Sequence, residues 1–307
     1  MSSTRPTSAS LGFGSSGYVD AMILRWAQHG SATEPELEES AYQQTTIDNI
    51  FRDVLAELPP LQSWEQVIYS RWIVHLLLLW QRSESKAAAL SIPTMKKMCS
   101  LIETARRYEA ESHDHQSRAM RYNAFEVFGV DRRGCSVQYF RPALSDAHSF
   151  ERELGHEAYC RHMDAFTLFF WDCRYREALA SGRHSRIVFV IDCTGYDFSA
   201  LRRTWSGLAT ASKWMKMYPG GQGPLDGVRL TLVRNAPAML APVFWAIMLM
   251  VPSSVREGYK IFSSRSDEAF RQALFEHVDP SQVPRSMGGD CDQHFALDFD
   301  FNNTPRK

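Results

Sequence analysis

Apolar and polar positions divide the chain into a helical first third and a longer part where short apolar strands alternate with helices. Residues 18–29 (YVDAMILRWAQH) predict a short amphipathic helix. Ile47, Ile50, Phe51, Val54 and Leu55 fall at helical spacing, predicting a helix over 42–58 that Pro59 and Pro60 stop. Ser63 and Gln66 form a weak capping box ahead of a helix whose run from Leu76 to Trp80 is apolar all round, as in a buried helix. A further helix is expected after Pro93, so that residues 42–112 read as a small helical lobe.

The period then changes. Residues 124–129 and 136–141 are strand-like and flank Asp131-Arg132-Arg133-Gly134, a hairpin-type turn. Residues 150–181 predict one long helix. RIVFVID at 186–192 is a continuous apolar strand of the kind a parallel sheet buries on both faces. A helix over 198–217, a glycine-rich loop at 220–227, strands at 228–233 and 259–263, and a helix in DEAFRQALFEHV follow. That order argues an α/β sheet with crossover helices. One stretch stands apart: between Arg234 and Arg256 there is no charged residue. Pro237, Pro242 and Pro252 interrupt it, so it is not the uninterrupted apolar run of about 20 residues that a spanning helix needs. It predicts a strand exit, a turn and a short apolar helix.

Composition changes this picture little. With 44% hydrophobic residues and a formal net charge of -1, the chain is ordinary globular material without the basic excess of a nucleic-acid binder. Residues 1–17 are small and polar, with no apolar core of a secretory signal, and neither a myristoylation nor a prenylation pattern is present. Six scattered cysteines without a CxxC pair read as reduced thiols in a cytoplasmic protein. His156, Cys160, His162 and Asp164 are the nearest approach to a metal set, but the ligand spacing of a structural site is missing and no metal is expected.

Five motifs occur in order: FGVDRRGCSVQYFR, RIVFVIDCTGYD, KWMKMYP ahead of VRLTLVRNAP, YKIF and VPRSMGG. In that order, across Phe125 to Gly289, they resemble the CRAL-TRIO lipid-binding family. The resemblance implies an α/β fold: a mixed β-sheet with flanking helices around an apolar cavity, preceded by a small all-helical N-terminal lobe. The expected division is a disordered or partly helical tail over 1–40, the helical lobe over 41–115, the lipid-binding domain over 116–295 and a C-terminal tail over 296–307. The family's usual arginine-rich LLRFLRAR appears here only as HLLLLWQR.

The resemblance also makes the charge-free stretch a mobile gate over the cavity, with Met239, Val243, Phe244, Ile247 and Met248 as its residues. Ile187, Phe189, Ile191, Trp214, Phe166, Phe170 and Tyr139 are expected to line the cavity, and Lys260 to offer a head-group contact. Phosphatidylcholine-binding members carry Ser and Thr at the positions of Ile187 and Phe189, and Ser at that of Trp214. Phosphatidylinositol binders carry Glu-Arg where this chain has Gly220-Gly221, and Thr at Glu257; only Lys260 remains. A phosphate beside such apolar side chains is desolvated without hydrogen bonds, which is costly. The expected ligand is therefore a hydrophobic lipid, sterol-like or isoprenoid, exchanged at a membrane surface that the protein meets peripherally. No cofactor besides that lipid and no nucleic acid is expected. A ligand-free scaffold for a protein partner is the second reading. Catalysis is not expected, because a GxSxG elbow and a convincing metal set are absent; Asp192, at a strand end, reads as the cap of a turn before Gly195.

Overall fold

The computed structural model describes residues 17–30, 44–58, 65, 71–81, 83–111, 122, 124–181, 186–204, 228–238 and 256–292. Helix α1 (Tyr18–Gly30) turns Val19, Met22, Ile23 and Trp26 inward, an i, i+3, i+4, i+7 stripe, and leaves Leu24 in solvent. Helix α2 (Gln44–Ala56) does the same with Ile47, Ile50 and Val54. In α3 (Arg71–Gln81), six consecutive residues from Ile73 to Leu78 are buried, the all-round burial its sequence predicts. Helix α4 (Glu84–Glu109) begins well ahead of Pro93 and runs through it, where the sequence pattern places a start after that proline. The alanine-rich turn at 87–89 has high helix propensity, and Pro93 sits on the exposed side, where water can reach the carbonyl it leaves without a donor.

Strands β1 (Phe125–Val130) and β2 (Ser136–Phe140) form the antiparallel hairpin. Asp131 shapes its turn, with Oδ1 accepting from the backbone N–H of Arg133 (2.8 Å) and Cys135 (2.9 Å). The single long helix expected at 150–181 is two, α5 (Ala147–Leu154) and α6 (His156–Ser181). Between them Gly155 holds φ 88° and ψ 155°, a backbone region essentially restricted to glycine. Strands β3 (Ile187–Asp192), β4 (Val228–Arg234) and β5 (Tyr259–Ile261) add in parallel, giving a five-stranded sheet in the order β1-β2-β3-β4-β5. Residues 198–204 are helical, and α7 (Asp267–Phe275) closes the order of long elements.

Alternation along the strands sends side chains to two different layers. One face carries Phe128, Val137, Tyr139, Val188, Val190, Leu230 and Leu232, and α7 and the chain up to Cys291 cover it with Phe270, Leu274, Val278, Val283 and Met287. The approach is close enough that a Cβ on Gly129 would collide with the carbonyl of Gln282, and one on Gly289 with Val283. The other face carries Phe125, Val127, Phe140 and Phe189. It shares one continuous core with α6 and with helices α1 to α4. The helical lobe is thus packed into the sheet's own core.

Candidate functional site

The face turned toward α6 is built from two rows of residues in register across the whole sheet. The first row, Phe125, Phe140, Ile191, Val233 and Ile261, is apolar on every strand. The second is Val127, Gln138, Phe189, Thr231 and Tyr259. Phe166 of α6 stands edge-on to Phe125 at 4.7 Å between centroids. Phe189 continues the aromatic cluster toward β2, 6.2 Å from Phe125 and stacked with Phe140 at 6.5 Å. Burial is uneven across this face. Ile187 is buried, Phe140, Phe189 and Ile191 are half-buried, and Ile261 at the β5 edge is 49% exposed.

Ile187, Phe189, Ile191 and Phe166 therefore meet on or against one face. Phe170 belongs to α6, whose placement is described without that side chain. Two expectations are corrected. Tyr139 lies on the opposite face, fully buried beside Phe128 (6.4 Å between rings) under the C-terminal segment. Strand alternation separates Tyr139 from Gln138 and Phe140 but does not say which set faces which layer. Lys260 pairs with Leu232 in the ladder, so it too turns to the opposite face, with Nζ 3.7 Å from Glu276. Trp214 and the gate residues Met239, Val243, Phe244, Ile247 and Met248 lie outside the described residues.

The rim where β4 ends is held from two sides. Arg234 donates from Nε to Asp267 (2.7 Å) and from a terminal nitrogen to the Ser286 carbonyl (3.0 Å), with its guanidinium over the Phe270 ring. Asn235, at φ 55°, donates to Thr194 Oγ1 (2.7 Å) and Asp192 Oδ1 (3.3 Å). Asp192 is buried; it accepts from the Thr194 backbone and hydroxyl and from Arg141 Nε at 3.0 Å. It caps the turn before Gly195, as its position in the sequence predicts. His156 meets Glu151 and Cys160, while His162 is buried against the Tyr108 hydroxyl, so the spaced His/Cys pattern splits between two environments. Among the described residues no three His, Cys, Asp or Glu side chains are grouped to hold a metal ion.

One polar centre was missed in the sequence. Asp172, fully buried in α6, accepts from the Tyr18 hydroxyl (2.6 Å), Trp26 Nε1 (3.0 Å) and Arg25 (2.8 Å), and forms an ion pair with Arg176 (2.9 Å). Burial, reinforced by the adjacent Asp172 carboxylate, pushes the Tyr18 phenol well above its ordinary range. The signal lay in FFWDC: a lone acid inside an apolar helical run needs partners.

Residues 120–289, more than half of the chain, match the family profile of the CRAL/TRIO domain. The crystal structure of Sfh5 is similar at 12% sequence identity and a TM-score of 0.46, covering 74% of this chain and 83% of that one. No curated protein sequence matches the chain.

Proposed function

The chain belongs to the CRAL/TRIO domain family, and from that premise we propose that it binds a hydrophobic lipid against the α6-side face of its sheet and carries or presents it at membranes. Proteins of this family bind hydrophobic lipids. The observation that carries the reading here is the wholly apolar row Phe125, Phe140, Ile191, Val233 and Ile261, half-open on β2, β3 and β5 while the reverse face is sealed by its own C-terminal segment. A surface of that kind binds by removing hydrocarbon from water. At about 0.8 kcal/mol per buried methylene, a long acyl or isoprenoid chain contributes on the order of 10 kcal/mol.

Ile187 and Phe189 stand on this face where phosphatidylcholine-binding members have hydroxyl groups, and Lys260 is turned away with Glu276. The ligand in this reading lacks a phosphorylated head group. The charge-free stretch between Arg234 and Arg256 acts as the gate, opening where lipid rather than water meets it. Among the described residues no helix is long and apolar enough to cross a membrane, so contact with the bilayer is peripheral in this reading. Extraction of the purified protein with organic solvent, followed by mass spectrometry, tests it. The expected product is an apolar lipid such as a sterol or isoprenoid. Stoichiometric phosphatidylcholine or phosphatidylinositol would overturn the head-group argument. Absence of saturable uptake of fluorescent lipids would favour a ligand-free scaffold instead.

A further inference from the structure

The second row of the sheet carries donors that the apolar row beside it lacks. Gln138 sits between Val127 and Phe189 in that row, is 1% exposed, and its Nε2 has no hydrogen-bond partner. Ser136, two residues earlier on the same strand and so on the same face, is also 1% exposed, with a hydroxyl that has no partner. Its backbone N–H is satisfied by Glu177, so only the side chain is left over. Folding removes both side chains from water and leaves Gln138 Nε2 and the Ser136 hydroxyl without a bond, which destabilises the empty protein. The penalty falls on two neighbouring positions of one strand, against the half-buried rings of Phe140 and Phe189.

We infer that Gln138, with Ser136 beside it, is the polar anchor of the lipid site and hydrogen-bonds a single uncharged oxygen of the ligand. This rests on the lipid-binding reading above. The amide Nε2–H donates to that oxygen, while Phe125, Phe166, Phe189 and Ile191 hold the hydrocarbon. The anchor is neutral, and the cations within the strands, with Arg141 just after β2, are paired elsewhere: Arg229 with Asp131 (2.7 Å), Arg141 with Asp192, Arg234 with Asp267 and Lys260 with Glu276. A phosphate therefore finds no counter-charge among them, whereas a hydroxyl or carbonyl oxygen needs none. An amide both donates and accepts, so an alcohol satisfies it most fully. The ligand class is an apolar molecule with one alcohol or carbonyl group.

Pairs of molecules that differ by one oxygen test this: cholesterol and cholestane, retinol and its deoxy hydrocarbon, hexadecanol and hexadecane. The full chain is loaded with each pair in equal amounts, separated from free lipid, and the retained ratio is read by mass spectrometry. For at least one pair the wild type is expected to retain the alcohol about tenfold over the hydrocarbon, about 1.4 kcal/mol. Gln138→Leu should bring that ratio to about one while still retaining the hydrocarbon. Gln138→Met carries the same test if the leucine variant does not fold. A preference unchanged in both variants, or a wild type that holds alcohol and hydrocarbon equally, overturns the anchor and leaves the lipid-binding reading standing. A wild type that retains no member of any pair overturns both.

Discussion

Asp172 shows how much one side chain can organise. Three donors from α1 and the Arg176 guanidinium converge on its carboxylate, so the helix that starts the described chain is fastened to α6 through a single buried acid. Removing one member of such a cluster leaves buried charge and N–H groups without partners, typically at a cost of about 3–5 kcal/mol. Asp172→Ala should lower stability by that amount, read from urea or guanidinium midpoints, and should release Trp26 from its ring contact with Tyr175 as a fluorescence change. At this scale the sequence was only partly legible. Ile187, Phe189 and Ile191 were readable as one face because residues two apart on a strand share a side. Tyr139 was not, because the two faces of β2 are both buried, and residue type cannot tell one buried layer from the other. Asp172 was passed over because its partners lie about 150 residues away in sequence.

Helix α1 also depends on a group outside itself. Glu109, near the end of α4, accepts a hydrogen bond from the backbone N–H of Val19 at 2.8 Å, closing a donor that the first turn of a helix leaves open. Burial pushes the Glu109 carboxyl from its ordinary 4.5 up to about 7, against the pull of the Val19 amide. Between those values the folded chain holds a proton that the unfolded chain has lost, so this group's contribution to stability falls as pH rises from about 4.5 to about 7. His75, in buried α3, works the other way: burial lowers its pKa, and its contribution is lost as pH falls below the usual 6.5. Glu109→Gln keeps the acceptor and removes the titration. Comparing its urea midpoints with the wild type at pH 5 and pH 8 isolates the effect, since His75 is common to both. The variant should gain relative stability at pH 8 and little at pH 5. Strands and hairpin were the most legible elements, because apolar runs bounded by turn residues leave few alternatives. Helix ends were less so: Gly155 splits a periodic run that sequence reads as one, and Pro93 fails to start the helix it seemed to mark.

Over the whole molecule, helices α1 to α4 and the α6-side face of the sheet draw on a single core. The sequence suggests a lobe and a domain because the hydrophobic period changes between them, and period reports local structure rather than which faces meet. The shared core leaves the helical lobe no separate interior to retain when the α6-side face of the sheet opens. Unfolding should therefore be one transition, with far-ultraviolet circular dichroism and tryptophan fluorescence giving the same midpoint; two separated midpoints would show the lobe to be independent.

The segment that seals the reverse face is also the last described part of the chain to be synthesised. Until residues 267–291 have been translated, Phe128, Tyr139, Val188, Val190, Leu230 and Leu232 lack the cover that Phe270, Leu274, Val278, Val283 and Met287 give them. On the ribosome, then, the growing chain carries apolar strand surface without this cover from the synthesis of the first hairpin until that of residues 267–291. That makes the nascent polypeptide, rather than the finished protein, the species most prone to self-association and most in need of a chaperone.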